Sequence, residues 1–309
     1  MDHETAGDPM SGLKWTHKTT HKIAEQLKLA NIPVCANTVG RLLKKMGFSL
    51  RVNHKKKESG NKNPPSPDIR NQQFEYINQM RKTFSEEGCP IVSIDCKKKE
   101  LIGCFKNNGA SWEQAPYEVN DHDFASDADG KAIPYGIYDT QSNQGYVIVG
   151  TSRETPAFAV DALGLWWQHY GSKRYPNSRR ILILADCGGG NAARSRVWKY
   201  RLQKRLVDRY QLSVTVCHFP PGASKWNPIE HRLFAEISKN WSGKPLKTFE
   251  TVLKYIRSTT TSFGLRVRAK LHKKEYRTGE KIGNSDFKGI SLTGHETLPK
   301  WNYSFEPTN

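Results

Sequence analysis

Two short runs of the chain are mostly apolar and end in a carboxylate. Pro90-Ile91-Val92-Ser93-Ile94-Asp95 is one, and Arg180-Ile181-Leu182-Ile183-Leu184-Ala185-Asp186 is the other. Runs this short and continuous read as strands buried on both faces, the pattern of a sheet covered by helices on each side. An acid at the end of such a strand is costly to desolvate unless a cation or a metal faces it. A mixed α/β sheet opens into a crevice at its strand ends, so the two acids can converge there. These runs therefore set both the architecture and the place where its chemistry should lie.

The rest of the pattern fills in an α/β chain. Further strands are expected over residues 100–105, 135–139, 145–150 and 212–219, the middle two as a hairpin around 141–144. Helices are expected over 69–88, 155–170, 194–211, 227–241 and 248–262. Three strands, a helix, then strand–helix–strand–helix imply a mixed sheet with helices on both faces. Ahead of it, residues 16–47 read as two short helices around a turn. Ile23, Ala24 and Leu27 line the first, and Pro33, which lacks an N–H, prevents its continuation. In the second, Val39, Leu42, Leu43 and Met46 recur at i, i+3, i+4 and i+7. This is the layout of a helix-turn-helix, with Asn37, Thr38, Arg41, Lys44 and Lys45 on the polar face offered to a major groove. Residues 48–57 read as a wing or a basic strand, and 58–68 as a polar, proline-rich linker.

Charge narrows the partner. The 309 residues carry 48 Lys and Arg against 30 Asp and Glu, a net +18. Residues 13–57 hold 11 of the bases and a single acid, Glu25, whereas residues 91–240 hold 20 bases and 15 acids. Concentrated positive charge is what a module tracking phosphates requires, with a solvated basic face as the plain alternative. No stretch approaches the ~20 apolar residues of a membrane helix. The first residues show no basic-then-apolar leader, and the six cysteines form no CxxC pairs. The expectation is a cytoplasmic protein with reduced thiols, not a secreted or structural-zinc protein.

A third acid, Glu230, lies in Ser224-Lys225-Trp226-Asn227-Pro228-Ile229-Glu230-His231. Asn227 as N-cap, Pro228 at the first helical position and Glu230 two residues on make a capping-box-like start. Such a start would also hold the Glu230 side chain firmly. Three carboxylates meeting at one sheet edge can hold two Mg²⁺ ions roughly 3.5–4 Å apart, with Mn²⁺ as a substitute. One ion then activates water or a 3′-hydroxyl, and the other stabilises the leaving oxygen of a phosphodiester. Arg194, Arg196, Lys225 and Arg232 flank the acids in sequence and are expected on DNA phosphates. Other motifs take plainer readings. Gly188-Gly189-Gly190-Asn191 matches no phosphate-loop pattern and serves a sharp turn beside Asp186. Cys96, Cys187, Cys217 and His218 lack zinc-ligand spacing. Asp121, His122 and Asp123 read as a solvated loop, Asp139 as a turn former, and Trp166 and Trp167 as core.

These residues carry a family resemblance. The strings are Val92-Ser93-Ile94-Asp95-Cys96-Lys97-Lys98-Lys99-Glu100, Ala132-Ile133-Pro134-Tyr135-Gly136, Ala185-Asp186-Cys187-Gly188-Gly189 and Cys217-His218-Phe219-Pro220-Pro221-Gly222, the last running on through residues 224–234. Through them the chain resembles a DDE transposase of the ribonuclease-H-like fold. It is similar to bacterial insertion-sequence transposases of the ISAzo type, relatives of the mariner-like superfamily, over roughly residues 8–265. The resemblance places the family's catalytic and metal-holding acids on Asp95, Asp186 and Glu230. It implies a Mg²⁺-dependent enzyme that cuts at the ends of its element and joins 3′-hydroxyls to target DNA. Its partner would be double-stranded DNA, its working form a homodimer or higher oligomer, and its place the bacterial cytoplasm and nucleoid. The domains implied are a helix-turn-helix region over 1–57, linker and helix over 58–88, a ribonuclease-H-like domain over 89–265 and a basic extension over 266–309. The 44-residue step from Asp186 to Glu230 exceeds that of the best-known mariner-like branches and leaves room for the basic helix 194–211. The segment before Gly7-Asp8-Pro9 is shorter than in relatives, giving the expectation of a truncated N-terminus. Two alternatives remain: an inactive or truncated copy that only binds DNA, and a plain nuclease that cuts without joining.

Overall fold

The chain divides after Lys57 into two units, Met1–Lys57 and Glu58–Asn309. The computed structural model describes residues 5–7, 14–16, 19–49 and 65–308. In the first unit, β1 (Thr5–Gly7) pairs antiparallel with β2 (Lys14–Thr16). Thr19 then caps α1 (Thr20–Leu29) by accepting the Lys22 N–H at 3.3 Å. A turn with Asn31 in the left-handed region leads into α2 (Ala36–Lys45). Ile23 and Val39 are the buried residues of the two helices. The expected apolar row of α2 is only partly covered, with Leu42 and Met46 exposed at 47% and 68%. Asn37, Arg41, Lys44 and Lys45 are exposed as well. Thr38 is partly covered, its hydroxyl accepting from Arg41 at 3.3 Å. The expected wing lies outside the described residues from position 50 onward, as does the linker over 58–64.

In the second unit, α3 (Pro67–Glu86) begins inside the expected linker. Ser66 accepts the Ile69 N–H and Pro67 occupies the first turn, so Pro67, expected within the spacer, opens a helix instead. A nine-stranded mixed sheet follows. Its strands are β3 (Ile91–Cys96), β4 (Glu100–Ile102), β5 (Gly130–Asp139), β6 (Gln144–Gly150), β7 (Arg180–Ala185), β8 (Ser213–His218), β9 (Arg266–His272), β10 (Leu292–Gly294) and β11 (Asn302–Phe305). They lie in the order β10-β11-β8-β7-β3-β5-β6-β9, with β4 paired to β5. At the centre, β6-β5-β3 are antiparallel and β7 and β8 run parallel to β3. Taken in chain order, these five strands have the 3-2-1-4-5 arrangement of the ribonuclease-H-like fold.

Period-two alternation sends the two sides of each strand to different helices. Val92, Ile94, Ile181 and Ile183 pack with α4 (Pro156–Trp166) and α5 (Arg196–Leu202). Both helices run on through π turns, Trp167–Gly171 and Gln203–Val207. On the opposite face, Ile91, Leu182 and Leu184 pack with Ile77 and Phe84 of α3. The same face further along, at β5, β6 and β9, is covered by a helix that opens with a π turn, Glu230–Phe234, and continues as α6 (Ala235–Asn240), together with α7 (Phe249–Arg257). No helix among the described residues is long and apolar enough to cross a membrane.

The C-terminal segment supplies both margins of this sheet. β9 pairs parallel with β6 at one edge, while β11 pairs antiparallel with β8 and carries β10 at the other. A chain of buried hydrogen bonds joins this tail to the centre. The Trp198 indole donates to the Tyr303 hydroxyl at 3.0 Å, and that hydroxyl lies 2.7 Å from His218 Nε2. His218 Nδ1 is 2.7 Å from the Asp186 carbonyl, which only accepts. Nδ1 therefore carries the proton and Nε2 accepts from Tyr303. Burial lowers the His218 pKa to about 4, which keeps the ring neutral in this role. Tyr303→Phe removes the middle of the relay and orphans a buried donor and a buried acceptor. We expect it to lower the unfolding free energy by about 2–4 kcal/mol in urea denaturation. A change below about 0.5 kcal/mol, the size of an ordinary surface substitution, would show that the relay does not hold the tail.

Candidate active site at the carboxyl ends of two parallel strands

Asp95 is the penultimate residue of β3, and Asp186 follows the last residue of β7. The parallel register pairs Ile94 with Ala185. The next residue on each strand, Asp95 and Asp186, therefore lies beside the other at a strand spacing of about 4.8 Å. Asp95 is 9% exposed, and its Oδ1 accepts the Cys96 N–H at 2.7 Å. Asp186 accepts from the buried Asn191 amide at 2.9 Å and from the Gly188 N–H. The glycine-rich turn thus turns its N–H groups and Asn191 toward carboxylates, in line with a tight turn beside Asp186.

Glu230 enters from the helix across the sheet face. Asn227 stands at the expected cap position just before Pro228, but its side chain does not cap the helix. Its Nδ2 donates to the Ile94 carbonyl at 3.1 Å, and the Ser93 hydroxyl donates to its Oδ1. Ser93 Oγ then accepts the Ile229 N–H at 3.0 Å, so the strand caps the helix. The reason is positional: Ser93 and Asp95 point to the same face of β3, the face on which the helix starts. Gly136, which pairs with Asp95, makes room for that start. A Cβ there would fall 2.5 Å from Phe234 and 2.8 Å from Ile229. The Glu230 carboxyl lies near enough to Asp95 to raise its pKa.

The electrostatics follow from this crowding. Burial first, then the Asp186 charge and the Glu230 carboxyl, push the Asp95 pKa up to about 9, against the Cys96 N–H. Burial raises Asp186 too, opposed by Gly188 and Asn191 and reinforced by Glu154 and Glu230. Glu154 is a fourth acid at this edge that sequence patterns do not single out. It precedes the Thr155 cap of α4, where an acid reads as ordinary helix-start charge. In the fold its Oε1 accepts the Gly190 N–H at 3.2 Å, and its Oε2 lies 3.0 Å from Lys99.

The flanking bases do not form one cluster. Arg194 and Lys225 are exposed, Lys225 above the Trp226 ring at 5.8 Å. Arg196 donates to Asn284 at 2.9 Å and lies over Phe287, which ties it to the C-terminal segment. Arg232 acts on Tyr138, which pairs with Ser93, two residues before Asp95. Lys97 is turned from the acids toward Glu100, at 2.8 Å, and the Trp241 ring. Elsewhere Asp139 accepts the Gln141 and Ser142 N–H groups, the bonding of a turn former. Trp166 and Trp167 are buried core, and the six cysteines are free. Among the described residues no three Asp, Glu, His or Cys side chains stand in a ready metal-binding arrangement.

Curated proteins give no match to the chain. Among solved structures it is similar to the Mos1 transposase paired-end complex with left transposon end, at 16% identity and a TM-score of 0.42, covering 77% of this chain and 65% of that chain. The mariner Mos1 paired end complex with Mg gives 16% and 0.46, with coverage of 77% and 65%. The Mos1 Strand Transfer Complex gives 15% and 0.43, with coverage of 77% and 64%. The matched region thus spans just under two thirds of those chains. The family described as the Rhodopirellula transposase DDE domain matches residues 1–307. With that match over nearly its full length, the chain belongs to the ISAZ013 family of DDE transposases.

Proposed function

We propose that the chain is a transposase that cuts DNA at the ends of its element and transfers the 3′-ends to target DNA, with Asp95, Asp186 and Glu230 as its catalytic acids. The observation that carries this reading is the adjacency of Asp95 and Asp186 on neighbouring parallel strands, with Glu230 brought against Asp95, in a chain of the DDE transposase family.

The donor set fits a hard divalent cation such as Mg²⁺ or Mn²⁺. Asp95, Asp186 and Glu230 offer carboxylate oxygens, and among the described residues none of the three is ion-paired. Burial first, then the neighbouring Asp186 and Glu230 carboxyls, raise the Asp95 pKa, and no cation stands among the causes to offset them. Asp95 and Asp186 would hold the ion, and Glu230 would complete the set and orient the attacking water or hydroxyl. A bound divalent cation supplies Lewis acidity at the phosphorus and neutralises charge on the leaving oxygen. The chain's own part is positional. Ser93 and Asn227 fix the start of the Glu230 helix, and the His218 relay holds the Asp186 backbone.

DNA is gripped in this reading by the basic first unit, through Asn37, Thr38, Arg41, Lys44 and Lys45. Arg194, Arg196, Lys225 and Arg232 meet phosphates around the acids, and a dimer or larger assembly in the bacterial cytoplasm pairs the element ends. Asp95→Ala and Glu230→Ala proteins are expected to bind end DNA as tightly as wild type while losing Mg²⁺-dependent cleavage by about a thousandfold or more, read on a labelled duplex. Retained cleavage would overturn the assignment, and cleavage without joining of a labelled 3′-end would mark a plain nuclease. Lys44→Ala with Lys45→Ala should flatten the slope of log Kobs against log salt by about 2 in a binding titration. An unchanged slope would remove α2 from the interface.

Stability should report the acid crowding independently. Asp95 has a folded pKa of about 9, above its ordinary carboxylate value, so the folded state holds an extra proton below that pH. Its contribution is present at low pH and is lost as pH rises toward 9. His218, lowered to about 4, titrates only on the acid side and leaves the window from pH 7 to 9 clear. Without metal, the wild-type melting temperature should fall across that window and that of Asp95→Asn should stay flatter and higher at pH 9. Parallel curves for the two proteins would contradict the crowding.

A further inference from the structure

Glu154 holds two loops at once. Its Oε1 takes the Gly190 N–H from the turn that follows Asp186, and its Oε2 takes Lys99 from the loop that follows Asp95. The carboxylate itself is only 17% exposed, so both contacts are made in a sheltered place. The Gly190 turn is shaped to this contact. Gly189 adopts φ +61°, and a Cβ on it would fall 2.5 Å from Glu154 Oε1. Only glycine lets the turn approach Glu154 this closely. Glu154 comes from the α4 side of the sheet, whereas Glu230 comes from the opposite side.

A second, independent feature lies on the same α4 side of the sheet as Glu154. Tyr135 pairs with Cys96 on the adjacent strand, one step beyond the Asp95–Gly136 pair. It is fully buried, and its hydroxyl is the one buried side-chain nitrogen or oxygen among the described residues with no hydrogen-bond partner. The charges of Asp95, Asp186 and Glu154 all act on it. A phenol left unpartnered in such a setting normally has a ligand or an ordered water to meet. Magnesium-type cations keep several of their waters when bound by few carboxylates, so a hydrated ion brings acceptor oxygens to such a donor.

Resting on the reading of Asp95 and Asp186 as cation ligands, we propose that Glu154 is a positioning residue that clamps the two acid-bearing loops together, and that the Tyr135 hydroxyl donates to a water carried by the divalent cation held between them. The sequence gives the acid four residues after Gly150, and the fold turns it into the brace of the cation site. Lys99 contributes the neutralising charge that lets a fourth carboxylate stand there.

Direct binding of Mn²⁺ to the full chain, followed by electron paramagnetic resonance in the absence of DNA, tests this without relying on turnover. Glu154→Gln keeps an acceptor for Gly190 and loses the pair with Lys99, so Mn²⁺ affinity should fall about tenfold. Glu154→Ala loses both contacts and should bind more weakly again. Tyr135→Phe should weaken Mn²⁺ several-fold while removing no bond within the protein. In Glu154→Gln and Tyr135→Phe the melting temperature of the metal-free protein should hold while Mn²⁺ affinity falls, which a merely structural role would not satisfy. Wild-type Mn²⁺ affinity in both Glu154→Gln and Tyr135→Phe, with binding lost in Asp95→Ala, overturns this inference and leaves the cation reading intact. Wild-type affinity in Asp95→Ala overturns the cation reading, and the brace with it.

Discussion

Two carboxylates are driven together by a hydrogen-bond register. Once Ile94 of β3 stands opposite Ala185 of β7, Asp95 and Asp186 have no choice but to share the sheet's edge. Burial first, and then the neighbouring acids, raise the pKa of both groups. Folding therefore has to offset the strain with fixed dipoles. The Cys96 and Gly188 N–H groups and the Asn191 amide do so, each donating to one of the two acids. A site held in this way is more costly in stability than an apolar edge and better prepared for a cation.

The surrounding structure is organised to keep that edge rigid. Asn227 and Ser93 replace ordinary helix capping with a lock between helix and strand, so Glu230 is fixed relative to Asp95 and not merely to its own helix. On the far side, the Trp198–Tyr303–His218 relay ends on the Asp186 carbonyl. Gln73 of α3 donates to the His218 carbonyl and exchanges amide hydrogen bonds with Asn302 of β11. The C-terminal strand and the first helix of this unit are thereby tied to one residue next to the site. Charge follows a different logic, since the basic excess lies in the first unit and in the tail while the acids sit in a nearly balanced middle.

Much of this was legible in the chain itself. The apolar runs ending in acids marked β3 and β7 to within a residue, because burial on both faces leaves no alternation to confuse with a helix. The helix starts near residues 155 and 248 were legible from apolar periodicity, although Pro67, inside the expected linker, opens α3. The tail was not legible as strands. Its β9 pattern, Arg-Val-Arg-Ala-Lys-Leu-His, reads as basic surface, since one face packs on the sheet's edge and the other meets solvent. Glu154 left no signal, because nothing in the order of residues says that the turn at Gly190 will come back to it.

The sequence by itself determined which residues would be strand, which helix, and that two acids would end buried strands, since these follow from local periodicity and solvation. It also determined the family, through strings of residues around those acids. The tertiary structure decided what stands beside what: Ser93 under the Glu230 helix, His218 behind Asp186, Glu154 between two loops, Tyr135 with a free hydroxyl among carboxylates. Such neighbours are set by register and packing over separations of tens to more than a hundred residues, and no local propensity encodes them.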